Sequence, residues 1–182
     1  MAVVFGLLAL EARGKEIMTA TFETAPPLWR RLVETNAEYF GAVQDFLAPP
    51  NDRVLSIRHG LRAGGVELAT ALRIFPYLSA PERIELFPDL VFLSSSAHGS
   101  LGVVRDLTMA LPREYVLANL ANASEPYLRD GTSDEYRRFL ELFWLLDHAM
   151  VEQLAKRAAN HCDVDIREAG NDFIDKLAEE SQ

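Results

Sequence analysis

The stretch "RVLSIRHGLRAGG", residues 53–65, decides the fold, because it admits two incompatible readings. Read as a short apolar strand ending in Arg58-His59-Gly60, it presents His59 as a nucleophile and makes the chain an enzyme. Read as a helix with an apolar face, it is packing material and His59 is incidental. The segments around it must arbitrate.

They carry helical periodicity. In "PLWRRLVETNAEYFGAVQDFL", 27–47, the residues Leu28, Leu32, Phe40, Val43 and Leu47 recur at helical spacing. In "AMVEQLAKRAA", 149–159, Met150, Val151, Leu154, Ala155 and Ala158 share one face, with Glu152, Gln153, Lys156 and Arg157 opposite. "DIREAGNDFIDKL", 165–177, repeats the design with Ile166, Ala169, Phe173, Ile174 and Leu177. "LELFWLLD", 140–147, is apolar almost all round and marks an enclosed helix. Start signals agree: Ser79 with Glu82, Thr132 with Glu135, and Asp165 with Glu168 each pair a cap with a glutamate three positions on. Pro81, Pro88 and Pro112 suit first turns, and Gly131 suits a left-handed helix end. The pattern predicts helices near 27–47, 52–63, 66–78, 80–87, 89–97, 100–110, 112–124, 133–147, 148–161 and 165–179. The pair across 80–97 also reads as one helix kinked at Pro88.

Composition bounds the rest. The 182 residues fit one domain, with 49% hydrophobic and 25% charged residues. A net charge of −9 disfavours nucleic acid as a partner, since a polyanion is held by cations. Arg30, Arg31, Arg53, Arg58, Arg62 and Arg73 nonetheless make the N-terminal half locally basic. The single cysteine, Cys162, points to a reducing, cytoplasmic setting. "MAVVFGLLAL", 1–10, is too short to span a membrane and lacks a basic start. Residues 1–25 read as an arm or helix docked on the core, or, over 1–17, as an extension preceding a start at Met18.

Three stretches share a further pattern: "DRVLSIRHGL", "HGSLGVVRDL" and "DVDIREAGNDF". Each runs from a polar or glycine-bearing turn into a β-branched residue and arginine: Ile57-Arg58, Val104-Arg105 and Ile166-Arg167. Arg58 and Arg105 lie 47 residues apart, Arg105 and Arg167 62. The first interval matches an armadillo or HEAT unit of about 40–47 residues, and the second exceeds it by about one helix. "HCDVDIREAGNDFIDKL" resembles the second helix of a HEAT repeat, and the resemblance is best over 132–179. It implies that Arg58, Arg105 and Arg167 are structural, and that Asp163 or Asp165 partners Arg167. "IRHG", 57–60, also resembles the first motif of the histidine phosphatases, with His98 in "AHG" as the second histidine. That family is α/β, however, and its two histidines are normally far more than 39 residues apart.

Other chemistry is thin. Asp147 and His148 suggest a carboxylate–imidazole dyad, but neighbours on a helix diverge by about 100°. His161, Cys162, Asp163 and Asp165 are four possible metal ligands without a second cluster at zinc spacing. "SSSAHGS", 94–100, lacks the strand–turn–helix setting of a nucleophile elbow. No cofactor or metal is expected.

The reading is one all-α domain over 1–182, with 26–180 stacked as a right-handed superhelix of HEAT- or armadillo-like antiparallel helix pairs. The expected function is a non-catalytic scaffold or adaptor for another protein, with homodimerisation possible and no membrane attachment. Glu152, Lys156, Arg157 and Asn160 are expected to line a concave binding face. The alternatives are a histidine-phosphatase-like hydrolase using His59 and His98, and a HEAT-like nucleic-acid-binding or DNA-repair protein.

Overall fold

The computed structural model describes residues 25–48 and 52–180, and the expected N-terminal arm lies outside these apart from its last position. Among the described residues there are ten α-helices, one 3-10 turn and no strand. The chain divides into two compact units, Met1–Pro50 and Asn51–Gln182.

The first unit contributes α1 (Pro27–Leu47), with Pro27 at its first position, where a missing N–H costs nothing. Of its periodic apolar residues Val43 is buried, while Leu28, Trp29, Leu32 and Phe40 are exposed.

The second unit runs α2 (Arg53–Ala63), α3 (Gly65–Ile74), a 3-10 turn (Phe75–Tyr77), α4 (Ala80–Glu85), α5 (Phe87–Ser94), α6 (Leu101–Met109), α7 (Arg113–Arg129), α8 (Ser133–Leu146), α9 (His148–Ala159) and α10 (Val164–Glu180). Its punctuation is local chemistry. Gly64 and Gly65 separate α2 from α3 at φ 81° and 53°, a backbone state that a side chain would strain. Pro76 turns the end of α3 into the 3-10 turn. Capping boxes start α4 and α8: the Glu82 carboxylate accepts from Ser79 N at 2.8 Å, and that of Glu135 from Thr132 N at 2.8 Å. Asp147 ends α8 and caps α9, its Oδ1 accepting from Met150 N at 3.0 Å.

Two helices organise the core. The eight-residue α5 packs against α2, α4, α6, α7 and α8, burying Phe87, Leu90, Val91 and Leu93. Its buried hydroxyl on Ser94 donates to Leu90 O at 2.9 Å, so no polar group there is stranded. The enclosed helix read from "LELFWLLD" is α8, which meets α5, α7, α9 and α10 and buries Tyr136, Phe139, Leu140 and Leu142. Each such side chain contributes about 1.5–3 kcal/mol. α9 and α10 pack closest of all, because Gly170 faces the backbone of Ala155, Ala158 and Ala159.

Three local expectations change. α7 does not stop at 124 but continues through Pro126 to Arg129. The lost hydrogen bond is offset because the extra turn buries Leu128 and sets Tyr127 against Phe92 and Phe139, with ring centroids at 5.9 and 6.2 Å. Gly131 is not left-handed; a Cβ there would strike Tyr127 O, so close approach demands the glycine. α10 is capped by Asp163 instead of Asp165: Asp163 Oδ1 accepts from Asp165 N and Ile166 N at 2.8 and 3.2 Å.

The opening stretch is helical. Along α2, Arg53 pairs with Glu82 of α4 at 2.8 Å, and Arg58 and Arg62, one turn apart, clamp Asp89 of α5 at 3.0 and 2.8 Å. Arg58 also donates to Glu85 O at 3.3 Å. The Asp89 carboxylate is buried and sits in the first turn of α5, where the helix dipole favours an anion. Its hydrogen bond to Arg58 raises that guanidinium's already high pKa.

Candidate functional site

The histidines of the catalytic reading are each occupied. His59 lies exposed on α2, with Nε2 3.2 Å from Glu67 of α3. His98 sits in the α5–α6 turn, where Nδ1 accepts from Ser100 N at 3.2 Å. An accepting Nδ1 leaves the proton on Nε2, which donates to Leu93 O at 2.8 Å. Both ring nitrogens thus hold the turn together. Ser94 and Ser95 of the same segment donate to Leu90 O and Phe92 O.

The other clusters are equally committed. Asp147 caps α9, while His148 stacks on Trp144 with ring centroids 5.1 Å apart and lies 3.6 Å from Glu180, so the dyad is not formed. At the α9–α10 turn, His161 Nδ1 accepts from Asp163 N at 3.1 Å, and Asp163 is the cap. Arg167 closes this turn through His161 O at 2.9 Å and Cys162 O at 2.7 Å, where an aspartate was expected. Among the described residues no group of three or more metal-ligating side chains could hold an ion. Of the basic run, Arg53, Arg58 and Arg62 face carboxylates of α4 and α5.

What remains open is the surface where α8, α9 and α10 meet. One cleft of about 480 Å³ is lined by Arg105, Glu141, Trp144, Leu145, Phe173 and Lys176. Arg105 reaches from α6 to Glu141 at 2.5 Å and to Arg138 O at 3.3 Å. Lys176 lies 4.4 Å from the Phe173 ring centroid, a cation–π contact. Leu145 stays exposed between these charges. A second cleft of about 520 Å³ lies between α9 and α10, lined by His148, Glu152, Lys156, Ile174 and Leu177. Glu180 borders both clefts, so the stacked Trp144 and His148 form a ridge between them.

This arrangement divides the four residues read as one binding face. Glu152 and Lys156, paired with each other at 2.5 Å, line the second cleft. Arg157 points the other way, into a cleft of about 180 Å³ beside α7, with two bonds to Glu125 at 2.5 and 3.1 Å. That contact raises the Arg157 pKa and lowers that of Glu125. Asn160 donates to Lys156 O at 2.8 Å. The sequence reading missed Trp144 and Leu145 as surface candidates because it read α8 as enclosed on several sides; Phe173, placed on the apolar face of α10, is buried. Trp144 and Leu145 give the first cleft an apolar lining beside the Arg105–Glu141 pair and Lys176. Compared with family models, with curated proteins and with solved structures, the chain matches none.

Proposed function

We propose that this chain is a non-catalytic helical-repeat protein, a cytoplasmic scaffold or adaptor that holds another protein on its α8–α10 surface. Its helices are read as HEAT- or armadillo-like pairs in a right-handed stack. The pairwise packing of α2 with α3, α5 with α6, and each of α7 to α9 with its successor supports this reading. The observation that carries the function is the half-buried Trp144 beside the exposed Leu145, flanked in one cleft by Arg105 and Lys176. Tryptophan and arginine dominate binding energy where they become desolvated, and a surrounding ring of near-neutral contacts excludes water. Glu152 and Lys156 extend the surface across the ridge, whereas Arg157 serves the fold.

The test is a photo-crosslinking residue at position 145 in the intact chain, with Val66 on α3, also exposed, as the control position. A discrete protein adduct is expected from 145 only. Trp144→Ala should weaken it by about 30-fold or more, the loss of a central aromatic anchor. Equal adducts from both positions would sink the proposal. Turnover of phosphate esters that vanishes in His59→Ala would replace it with the hydrolase reading.

A further inference from the structure

We infer, resting on the protein-binding reading, that the cleft beside Trp144 takes a dipolar segment of the partner protein. That segment is acidic at the end that meets Arg105 and basic at the end that meets Glu179 and Glu180, with a bulky apolar side chain between.

Contacts between helices fix the order of groups along the cleft. Arg137 pairs with Asp172 at 2.7 Å, Trp144 meets Phe173 with ring centroids 5.9 Å apart, and His148 lies 3.6 Å from Glu180. Residue numbers therefore rise together on its two sides, and the cleft has two distinct ends. From Phe173 to Glu180 is about 10 Å along the axis of α10.

The first end is cationic. Arg105 and Arg138 both donate to one oxygen, Glu141 Oε2, at 2.5 and 2.9 Å. A single carboxylate thus serves two guanidiniums, whose buried Nε atoms find no acceptor, a demand that folded proteins rarely leave unmet. Lys176 adds a third cation. Its ammonium is drawn back over the Phe173 ring, 4.4 Å from the centroid, and among the described residues no carboxylate pairs with it. The second end is anionic. Glu179 and Glu180 line it one turn beyond Lys176, and the imidazole of His148 beside Glu180 is charged only when protonated. Between the ends lie the half-buried Trp144 and the exposed Leu145.

This arrangement selects by sign. A wholly apolar segment would strip water from both ends and return no partner for either charge. A polyanion such as nucleic acid would gain at Arg105 but meet repulsion from Glu141, Glu179 and Glu180, and a uniformly basic segment fails at the other end. A carboxylate and a cation about 10 Å apart, with an apolar side chain between them, complement both ends at once.

The experiment is selection of a randomised heptapeptide library displayed on phage against the intact chain. Leu145→Asp, checked for helicity by circular dichroism, is the counter-target. Peptides that bind the wild type and not this variant are expected to carry an acidic and a basic residue on opposite sides of a bulky apolar one. The tightest of them should lose about tenfold in affinity against Glu179→Lys/Glu180→Lys, and should recover most of that loss when its own basic residue is replaced by glutamate. Leu145-dependent peptides with no charges at fixed places, or a charge swap that fails to recover, overturn the inference and leave the cleft a protein-binding site. A uniformly acidic consensus also overturns it and assigns the cleft to a polyanion. Absence of any Leu145-dependent peptide would sink the protein-binding reading together with it.

Discussion

Two glycines within helices should respond to the same substitution with opposite signs. At Gly170 a Cβ would lie against Ala159 N, 2.7 Å from Ala155 O and 2.9 Å from the Ala158 carbonyl carbon. All three are backbone atoms of α9, so no rotamer change relieves the clash, and the two helices must part by about half an ångström or more to reach ordinary contact distance. That separation loosens Leu154, Ala155, Ile166, Ala169 and Phe173, which are buried along these helices. Overpacking of this kind costs about 3 kcal/mol, against a helix-propensity gain of about 1 kcal/mol. Gly170→Ala should therefore destabilise by about 2 kcal/mol or more, lowering Tm by roughly 4–8 °C. At Gly102 in α6 nothing lies within 4 Å of the added Cβ, so Gly102→Ala should be neutral or stabilise by up to about 1 kcal/mol. Gly60 is intermediate, with Ala71 Cβ at 3.0 Å and Glu67 O at 3.2 Å, and its alanine variant should cost about 1 kcal/mol. Urea unfolding monitored by circular dichroism gives all three values. A Gly170→Ala protein as stable as the wild type would refute the packing argument for α9 and α10.

Removing opposite ends of the α2–α5 clamp should also be unequal. The Asp89 side chain is 2% exposed, but Arg58 and Arg62 are 32% and 59% exposed. Asp89→Ala frees two guanidiniums that can return to water, at about 1–2 kcal/mol. Arg58→Ala/Arg62→Ala strands a buried carboxylate, at about 3–5 kcal/mol, and the reverse order in urea titrations would contradict this account. Acid should weaken the fold through its caps. The Thr132 hydroxyl first, and its backbone N–H with it, hold Glu135 below the usual carboxylate pKa; Ser79 does the same for Glu82, helped by Arg53. Because these folded-state values are lowered, the stabilisation is complete above the ordinary glutamate pKa of about 4.3 and disappears as pH falls through the lowered values. Glu135→Gln should flatten that acid limb; an unchanged profile of urea midpoint between pH 3 and 6 would exclude Glu135 as a contributor.

Local chemistry wrote much of this molecule into its sequence. Helical period, capping boxes at Ser79 and Thr132, and the glycine pair at 64–65 each act over four or five residues, so the all-helical class and most helix limits are readable from neighbours alone. Where the sequence misled, distant atoms had overruled neighbours. Pro126 stays helical because Tyr127 and Leu128 are held by other elements, and Gly131 answers to a carbonyl four residues back in place of a left-handed turn. The character of the surface was least legible of all. Periodicity tells which residues are apolar, but whether Leu145, Trp144 or Leu32 meets another helix or water depends on which faces find partners, and only tertiary packing decides that. The same holds for charge: "RVLSIRHGLRAGG" spells an arginine-rich patch, and the fold ties Arg58 and Arg62 to Asp89, a carboxylate that becomes buried only once α5 is enclosed.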